Sequence, residues 1–275
     1  MYPEIVRIGD FAITSFGVMM VAAFLAAYFQ LAWGLRRLGA GDADDASAMV
    51  FAAGVGGIVG GKVYYAVLYG DWRLIFDRAG LVWYGGVLGA TLLVLWVVHR
   101  RRLPVLGVGD AVGPGVAIGY AVGRIGCFLV GDDYGRPTDS AIGVVFPQGL
   151  PPATAGTFRH EYGMELPASL ADDALVPVHP TQLYETAMAL AIWGLGLLML
   201  RRGARRGATG LAMAVLLAVE RFVVEFFRAK DDRFFGDLTL AQLISLAILA
   251  LIAALWWAWR RRGASQAAAE PSRTA

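Results

Sequence analysis

The chain has 275 residues, of which 57% are hydrophobic and 17% are charged, and its mean hydropathy is +0.57. Soluble domains average about 25% charged residues, so this chain has too few to cover a water-facing surface. Its arginines gather in short clusters between apolar runs and form no basic arm, which argues against nucleic-acid binding. A single cysteine, Cys127, excludes an intramolecular disulfide, and three scattered histidines form no ligand cluster. We therefore expect no metal and no cofactor.

Seven apolar runs predict an all-α integral membrane protein with about seven transmembrane helices, since a helix needs about 20 mostly apolar residues to cross the hydrocarbon core. The first run lacks a preceding basic segment and is too long for a signal-peptide core, so we expect a retained first helix. The runs lie at 11–35, 47–69, 81–98, 109–131, 181–200, 208–228 and 238–259.

Arginine clusters at the ends of alternate runs predict the orientation. If every run crosses, these clusters share one side, and the positive-inside rule then places the N-terminus outside and the C-terminus in the cytoplasm. The opposite side would carry Asp71, Asp77, the long segment 132–180 and the region 230–232. The clusters are Arg36 and Arg37, Arg100 to Arg102, Arg201 to Arg206, and Arg260 to Arg262.

The long segment 132–180 is rich in proline and has little helical periodicity. We expect it to form an ordered or semi-ordered loop on the outer face. Residues 1–262 would form a single polytopic membrane domain. Residues 263–275, rich in alanine and polar residues, would form a disordered cytoplasmic tail.

Ionisable residues inside membrane spans are costly, by about 2.5–3.5 kcal/mol each near the centre, and mark functional sites by default. Arg124 lies between Gly123 and Gly126, which leave room around its guanidinium for a ligand such as a phosphate. The alternative is that Arg124 snorkels to the interface or pairs with a glutamate on another helix. The candidates are Lys62, Arg124, Glu185, Glu220, Arg221, Glu225 and Arg228.

Three of these residues recur at helical spacing near the end of the sixth run. Arg221, Glu225 and Arg228 lie at i, i+4 and i+7, so a continuous helix would place them on one face that points into the bundle. Arg228 would lie at a depth similar to that of Arg124, so the two arginines are predicted to hold a lipid phosphate between them. The alternative is an internal ion-pair network that fixes helix packing.

The fifth run opens with a polar sequence, His179-Pro180-Thr181-Gln182-Leu183-Tyr184-Glu185. Proline suits the first turn of a helix, and Thr181 or His179 is expected to cap it. Capping does not account for Gln182, Tyr184 and Glu185 together. This segment is therefore a second candidate for substrate binding.

With these residues in place, the sequence resembles the prolipoprotein diacylglyceryl transferase family. The segment 123–138, GRIGCFLVGDDYGRPT, is similar to the family signature Gly-Arg-Ile/Leu-Gly-Asn-Phe-Ile-Asn-Gly-Glu that continues to Gly-Arg. Further matches occur in family order and extend from about 14 to 237. They are Phe16-Gly17, Trp83-Tyr84-Gly85-Gly86, His179 to Glu185, and Glu225-Phe226-Phe227-Arg228.

The resemblance implies a multi-pass enzyme of the bacterial inner membrane. Its partners would be phosphatidylglycerol and the lipobox cysteine of a preprolipoprotein signal peptide, and it would release glycerol phosphate. Arg124, Arg228 and Tyr84 would be catalytic. The substrate-binding set would be Arg124, Gly131, Asp132, Gly135, Arg136, His179, Gln182, Tyr184, Glu185, Arg221 and Glu225.

Four positions differ from the usual family pattern. Tyr84 stands for a histidine, Cys127 for an asparagine, Asp132 for a glutamate and Phe16 for a tyrosine. A tyrosine with its ordinary pKa of about 10 is a poor base, so Glu185 or Asp132 is an alternative proton acceptor. Two other functions remain open: a family paralogue that binds or moves lipid without transfer, and a small-solute transporter.

Overall fold

A computed structural model of the chain describes residues 3–9, 11–77, 80–229 and 233–269. The chain divides into two compact units. Unit 1 comprises Met1–Gly17, Arg124–Ala189 and Ala214–Ala275, and unit 2 comprises Val18–Gly123 and Leu190–Met213.

The described part of the chain is mainly helical, and each predicted apolar run contains one long helix. Two short antiparallel hairpins pair β1 (Glu4–Ile8) with β2 (Phe11–Thr14) and β3 (Arg233–Phe235) with β4 (Leu238–Thr239). Short 3-10 helices occupy Trp72–Phe76 and Glu225–Phe227. The α-helices are α1 (Ser15–Leu38), α2 (Ala43–Tyr69), α3 (Trp83–Arg100), α4 (Val105–Val130), α5 (Ala155–His160), α6 (Thr181–Arg201), α7 (Ala208–Val224) and α8 (Leu240–Ala269).

Within the described residues, four helices are long and apolar enough to cross a membrane: α1, α2, α4 and α6. Helix α7 has 17 residues, and α3 has 18 with His99 and Arg100 in its last turn. Both are shorter than the roughly 20 residues of a typical span. The prediction of a helical protein with membrane-spanning helices is thus confirmed, whereas the count of seven crossings stays a prediction.

Two boundaries of the predicted runs are corrected. Residues 11–14 belong to β2 and pair with β1 instead of starting a helix. The second correction concerns the end of the sixth run, 208–228. Helix α7 ends at Val224, a 3-10 helix follows, and Arg228 is extended with a ψ of 145°. The prediction that Arg221, Glu225 and Arg228 share one helical face is therefore wrong for Arg228. Helix α8 continues to Ala269, past the predicted boundary at 262, and residues 230–232 and 270–275 lie outside the described part.

Outward-facing apolar side chains cover the long helices of unit 2. Phe29, Phe51, Leu68 and Leu92 are each more than half exposed. Contiguous apolar surface of this kind is rare on water-facing proteins and suits a lipid environment. The buried core of this unit lies between the helices and is formed by small and aliphatic residues such as Ala46.

Glycines bring α2 and α3 into backbone contact in unit 2. A Cβ built at Gly60 would collide with the carbonyl oxygen of Gly85, and one at Gly56 with that of Gly89. Only residues without a side chain permit such an approach in a membrane helix pair. The four-residue spacing of Gly56 and Gly60 therefore lets these helices pack closely.

The basic junctions of unit 2 are joined by charged side chains. Arginine side chains donate to the carbonyl groups that end α6, which is one way of satisfying a helix C-terminus. The contacts are Arg37 with the carbonyl oxygens of Leu200 (3.0 Å) and Arg201 (2.7 Å), Arg101 with Asp44 (2.6 Å) and Asp45 (2.9 Å), and Asp110 with the amides of Gly207 (2.6 Å) and Gly210 (2.8 Å). The turns 38–43, 101–105 and 201–208 are therefore held at one end of this unit.

The segment 132–180 is ordered and has a small core of its own in unit 1. Phe146 stacks on Tyr134 with ring centroids 5.6 Å apart, and Phe158 of α5 packs against the same tyrosine at 5.9 Å. Phe146 and Phe158 are fully buried, and the Tyr134 hydroxyl donates to the Pro151 carbonyl at 2.9 Å. Aromatic packing thus gives a proline-rich segment a fixed shape.

Candidate active site

The end of α4 positions the first half of the site. Gly131 adopts a left-handed φ of 75°, and its amide donates to the Cys127 carbonyl at 2.8 Å. A left-handed glycine of this kind stops a helix and turns the chain. Gly131 therefore acts in the described structure as a helix terminator, about two turns after Arg124, and sets the direction of the following acidic residues.

Arg124 is buried and lies among acidic groups of the same unit. Its Nη1 is 3.1 Å from Asp133 Oδ2 and donates to Cys127 Sγ at 3.3 Å. Its Nη2 forms an ion pair with Oε2 of Glu185, which is fully buried on α6. We therefore find the predicted alternative, in which Arg124 pairs with a glutamate on another helix. Arg124 also contacts a second carboxylate, that of Asp133.

Arg228 approaches the same two carboxylates from the segment that follows α7. Its Nη2 is 2.8 Å from Asp133 Oδ1, and its Nη1 is 3.9 Å from Glu185 Oε1. Arg221 reaches Glu225 Oε2 at 2.6 Å and Glu185 Oε1 at 3.6 Å. Although Arg228 leaves the helix, the three arginines still converge. We refer to these six residues as the ionic cluster: Arg124, Arg221, Arg228, Asp133, Glu185 and Glu225.

Asp133 is the member of the ionic cluster that the sequence analysis missed. It bridges the two arginines that we predicted to hold a phosphate. The available signal was the Asp132-Asp133 pair directly after a helix that carries a buried arginine. Because only Asp132 aligned with the glutamate of the family signature, its neighbour was passed over.

Two Asp residues at this turn have pKa values shifted in opposite directions. Burial alone would raise the pKa of Asp133, but the charges of Arg228 and Arg124 and their hydrogen bonds outweigh burial and lower it. Asp133 is therefore ionised at neutral pH. Burial is the main cause that raises the pKa of Asp132.

The start of α6 grips this acidic turn through its backbone. Thr181 Oγ1 donates to the Asp133 carbonyl at 2.9 Å, and Gln182 Nε2 donates to the Asp132 carbonyl at 2.7 Å. His179 Nδ1 lies 3.0 Å from the Tyr184 hydroxyl, one turn into the helix. Gln182 thus positions the acidic turn. Among the described residues of α6, Glu185 is the one that belongs to the ionic cluster.

Gly135 and Arg136 support Arg228 through the backbone. A Cβ at Gly135 would lie 2.5 Å from the Phe227 carbonyl oxygen and 2.8 Å from that of His179, so only glycine fits between these strands. Arg136 Nε donates to the Arg228 carbonyl at 3.0 Å. These contacts give both residues a positioning role, and their predicted role in substrate binding stays a prediction.

A metal ion does not suit the acidic turn. Ligand atoms of Cys127, Asp132 and Asp133 lie within 4.8 Å of one another. However, the Arg124 guanidinium contacts both the thiol and the Asp133 carboxylate, so a cation already occupies the position between them. The arrangement is suited to anions that displace a carboxylate from arginines.

Tyr84 belongs to unit 2, where it lies in the first turn of α3. Its ring packs edge-on against Trp83 with centroids 5.4 Å apart. The predicted role of Tyr84 in catalysis stays a prediction.

Comparisons with known proteins match one family over nearly the whole chain. The model of the prolipoprotein diacylglyceryl transferase family matches residues 3–259. The chain is 32% identical to a phosphatidylglycerol–prolipoprotein diacylglyceryl transferase of Burkholderia cenocepacia strain HI2424, over 97% of each chain. It is 29% identical to a protein of the same name from Pseudomonas fluorescens strain SBW25, over 94% of this chain and 96% of the relative.

Proposed function

Since this chain belongs to the prolipoprotein diacylglyceryl transferase family, we propose that it transfers diacylglyceryl from phosphatidylglycerol to the lipobox cysteine thiol of preprolipoproteins. The observation that carries this proposal is the convergence of Arg124 and Arg228 on one carboxylate, in a buried setting. Two guanidinium groups that hold a carboxylate between them are equally suited to a phosphodiester. Membership in this family leaves the small-solute transporter alternative without support.

In the proposed reaction the substrate thiolate attacks the glyceryl carbon that bears the phosphate oxygen. The carbon–oxygen bond breaks, a thioether forms, and glycerol phosphate leaves with the bonding electrons while the thiol proton passes to a base. Negative charge grows on the departing phosphate, so arginines fixed at that point stabilise the transition state more than the ground state. Arg124 and Arg228 would supply this charge.

The buried glutamates hold the arginines in place. Glu185 contacts all three guanidinium groups, and Glu225 contacts Arg221 and Arg228. These glutamates are almost fully buried, so water has little access to replace the arginines as their partners. Preorganised charges of this kind need little rearrangement when the phosphate leaves. Asp132, whose pKa is raised by burial, is a candidate for the base.

The same proposal includes the location of the protein. It would lie in the bacterial inner membrane as a multi-pass protein with seven crossings, with the N-terminus outside. Segment 132–180 and the ionic cluster would then lie near the outer face, where a preprolipoprotein signal peptide emerges.

The proposal is tested with purified protein, phosphatidylglycerol labelled in its diacylglyceryl group and a lipobox peptide. We expect label on the peptide thiol at pH 7. We propose that the Tyr84 hydroxyl serves the reaction by hydrogen-bonding the substrate and not as the base, so Tyr84→Phe should lower the rate about tenfold, the effect of losing about 1.4 kcal/mol of hydrogen bonding. A peptide with serine in place of cysteine is the control and should remain unlabelled.

Tyr84→His distinguishes the proposal from the binding-only paralogue. Tyr84 in place of the usual histidine is the observation that favours this second function. Undetectable transfer by the wild-type protein, together with robust transfer by Tyr84→His, would mean that the base is lost and that this protein binds lipid without transfer.

A further inference from the structure

Asp133 occupies the position between Arg124 and Arg228 that the transfer reaction needs for phosphate. Its Oδ1 faces Arg228 Nη2 at 2.8 Å, and its Oδ2 faces Arg124 Nη1 at 3.1 Å. Each oxygen serves one guanidinium, as two oxygens of a phosphate would. The chain thus supplies its own anion to the arginine pair.

Asp133 differs from the other carboxylates of the ionic cluster in its exposure. Its side chain is 47% exposed, whereas those of Glu185 and Glu225 are 1% and 2% exposed. Only this carboxylate therefore has a path to water when another anion arrives. The two glutamates would remain with the arginines.

The backbone of Asp133 is held independently of its carboxylate. Its φ of 55° lies in the left-handed region, which aspartate tolerates better than most residues but which still needs support. That support comes from Thr181, which donates to the Asp133 carbonyl, and from Gln182, which donates to the preceding carbonyl. The side chain can therefore rotate away while the turn stays in place.

The charges of the ionic cluster favour such an exchange. With Asp133 in place, three arginines face three carboxylates, so the cluster has no excess positive charge for a phosphodiester. When Asp133 rotates out, three arginines and two glutamates leave a charge of +1, which matches a phosphodiester of charge −1. The phosphate monoester released by transfer carries about −1.5 to −2 at pH 7, more than the cluster then balances.

We propose that Asp133 is an intramolecular competitor for the phosphate: phosphatidylglycerol displaces it on binding, and its return expels glycerol phosphate after transfer. This inference rests on the proposed function. A tethered carboxylate competes at high effective concentration, so it weakens the binding of both substrate and product. Asp133 thereby sets the affinity of the site and the rate of product release without contacting the reacting carbon.

Asp133→Asn tests the inference because asparagine keeps the shape of the side chain and removes its charge. We expect inhibition of transfer by glycerol phosphate to tighten about tenfold, a change of about 1.4 kcal/mol in binding free energy, and the KM for phosphatidylglycerol to fall. Asp139→Asn, which removes an exposed carboxylate six residues later in the same segment, is the matched control and should behave as the wild-type protein does. An unchanged or weaker inhibition in Asp133→Asn would refute the competitor role.

A binding measurement without turnover complements the kinetics. Glycerol phosphate should raise the melting temperature of Asp133→Asn in detergent more than that of the wild-type protein. Removing one partner of an ionic network can also prevent folding, so Asp133→Glu provides a second variant that keeps the charge. We expect its inhibition constant for glycerol phosphate to stay within about twofold of the wild-type value, and a tenfold tightening would contradict competition by charge.

The outcomes separate the two proposals. If the wild-type protein transfers no diacylglyceryl but Asp133→Asn still binds glycerol phosphate more tightly, the proposed function fails and the competition stands. If the wild-type protein transfers diacylglyceryl but Asp133→Asn does not tighten inhibition by glycerol phosphate, or Asp133→Glu tightens it as much, only the competitor role fails.

Discussion

Arg124 offers a planar fork where a lysine would offer a point charge. In the described structure its Nη1 and Nη2 contact different carboxylates, Asp133 and Glu185, so both ends of the guanidinium are in use. We expect Arg124→Lys to lower the transfer rate about a hundredfold although the charge is kept, a loss typical of a misplaced transition-state charge.

Arg159→Lys is the matched control for this change. Arg159 also pairs with an aspartate, the exposed Asp172 of segment 132–180, and donates to the carbonyls of Pro167 and Leu170, all outside the ionic cluster. Surface pairs of this kind contribute little, so its transfer rate should stay near that of the wild-type protein. Near-normal transfer by a correctly inserted Arg124→Lys protein would reduce Arg124 to a structural ion-pair partner.

Cys127 is a buried thiol that accepts a hydrogen bond from Arg124 at 3.3 Å. Its place beside the arginine resembles that of an acceptor for a covalent intermediate. In the proposed reaction the nucleophile belongs to the substrate, and a buried thiol usually behaves as a small apolar residue. We expect Cys127→Asn to transfer at a rate within about threefold of wild type, because its amide oxygen can also accept a hydrogen bond. Loss of transfer, with a lipid adduct on Cys127 in intact-mass spectra, would instead identify a covalent intermediate.

At the scale of helices, Gly60 of α2 determines how closely α3 approaches. A Cβ at Gly60 would collide with the backbone of α3, whereas one at Gly57 would meet nothing within 4 Å among the described residues. Gly60→Ala should therefore destabilise the protein by about 1–3 kcal/mol, the usual cost of overpacking, since backbone atoms cannot give way as a flexible side chain can. Gly57→Ala is the control on the same helix and should melt near the wild-type temperature. Equal melting temperatures for the two variants in detergent would show that the helices separate at no cost.

The apolar runs predicted the long helices, because a run of apolar residues is a pattern within one segment of the chain. They did not predict the end of α7, where Phe227 and Arg228 pair with the distant Gly135–Arg136 segment instead of continuing the helix. They also did not predict Asp133, because its role requires a left-handed turn after Gly131. Thr181 and Arg228, 48 and 95 positions from Asp133 in sequence, meet it at this turn, and no local pattern encodes such a meeting.

In the candidate site, too, the sequence predicted some features and missed those that depend on contacts between distant residues. Arg124, Arg228, Glu185, Arg221 and Glu225 were identified because charge inside an apolar run is conspicuous. Gly135 and Arg136 were also identified, but the sequence did not reveal the backbone contacts that they make with Phe227 and Arg228. A motif indicates that a residue matters, whereas only the fold distinguishes a side chain that binds an anion from one that braces the backbone of its neighbour.

The basic junctions predict the orientation of the whole molecule. The structure holds the turns 38–43, 101–105 and 201–208 at one end of unit 2 through contacts such as those of Arg37 and Asp110. Helices α1 and α2, which are joined by the turn 38–43, therefore run in opposite directions. The same holds for α3 and α4, which are joined by the turn 101–105. Excess arginine at these turns then predicts that this end faces the cytoplasm.

Reporter fusions test this orientation. Helix α3 has 18 residues and thus a length of about 27 Å at 1.5 Å per residue, so it can cross a core of about 30 Å with slight local thinning. Fusions at residue 101 and at the C-terminus should be active with a cytoplasmic reporter, and a fusion at residue 155 with a reporter that needs export. A fusion at residue 205 is the matched control, because Arg205 lies in a second basic turn at the same end of unit 2 and should behave as residue 101 does. If the fusion at 155 were cytoplasmic, the ionic cluster would face the side where no exported signal peptide emerges, and the proposed reaction would lose its access to substrate as well as its topology.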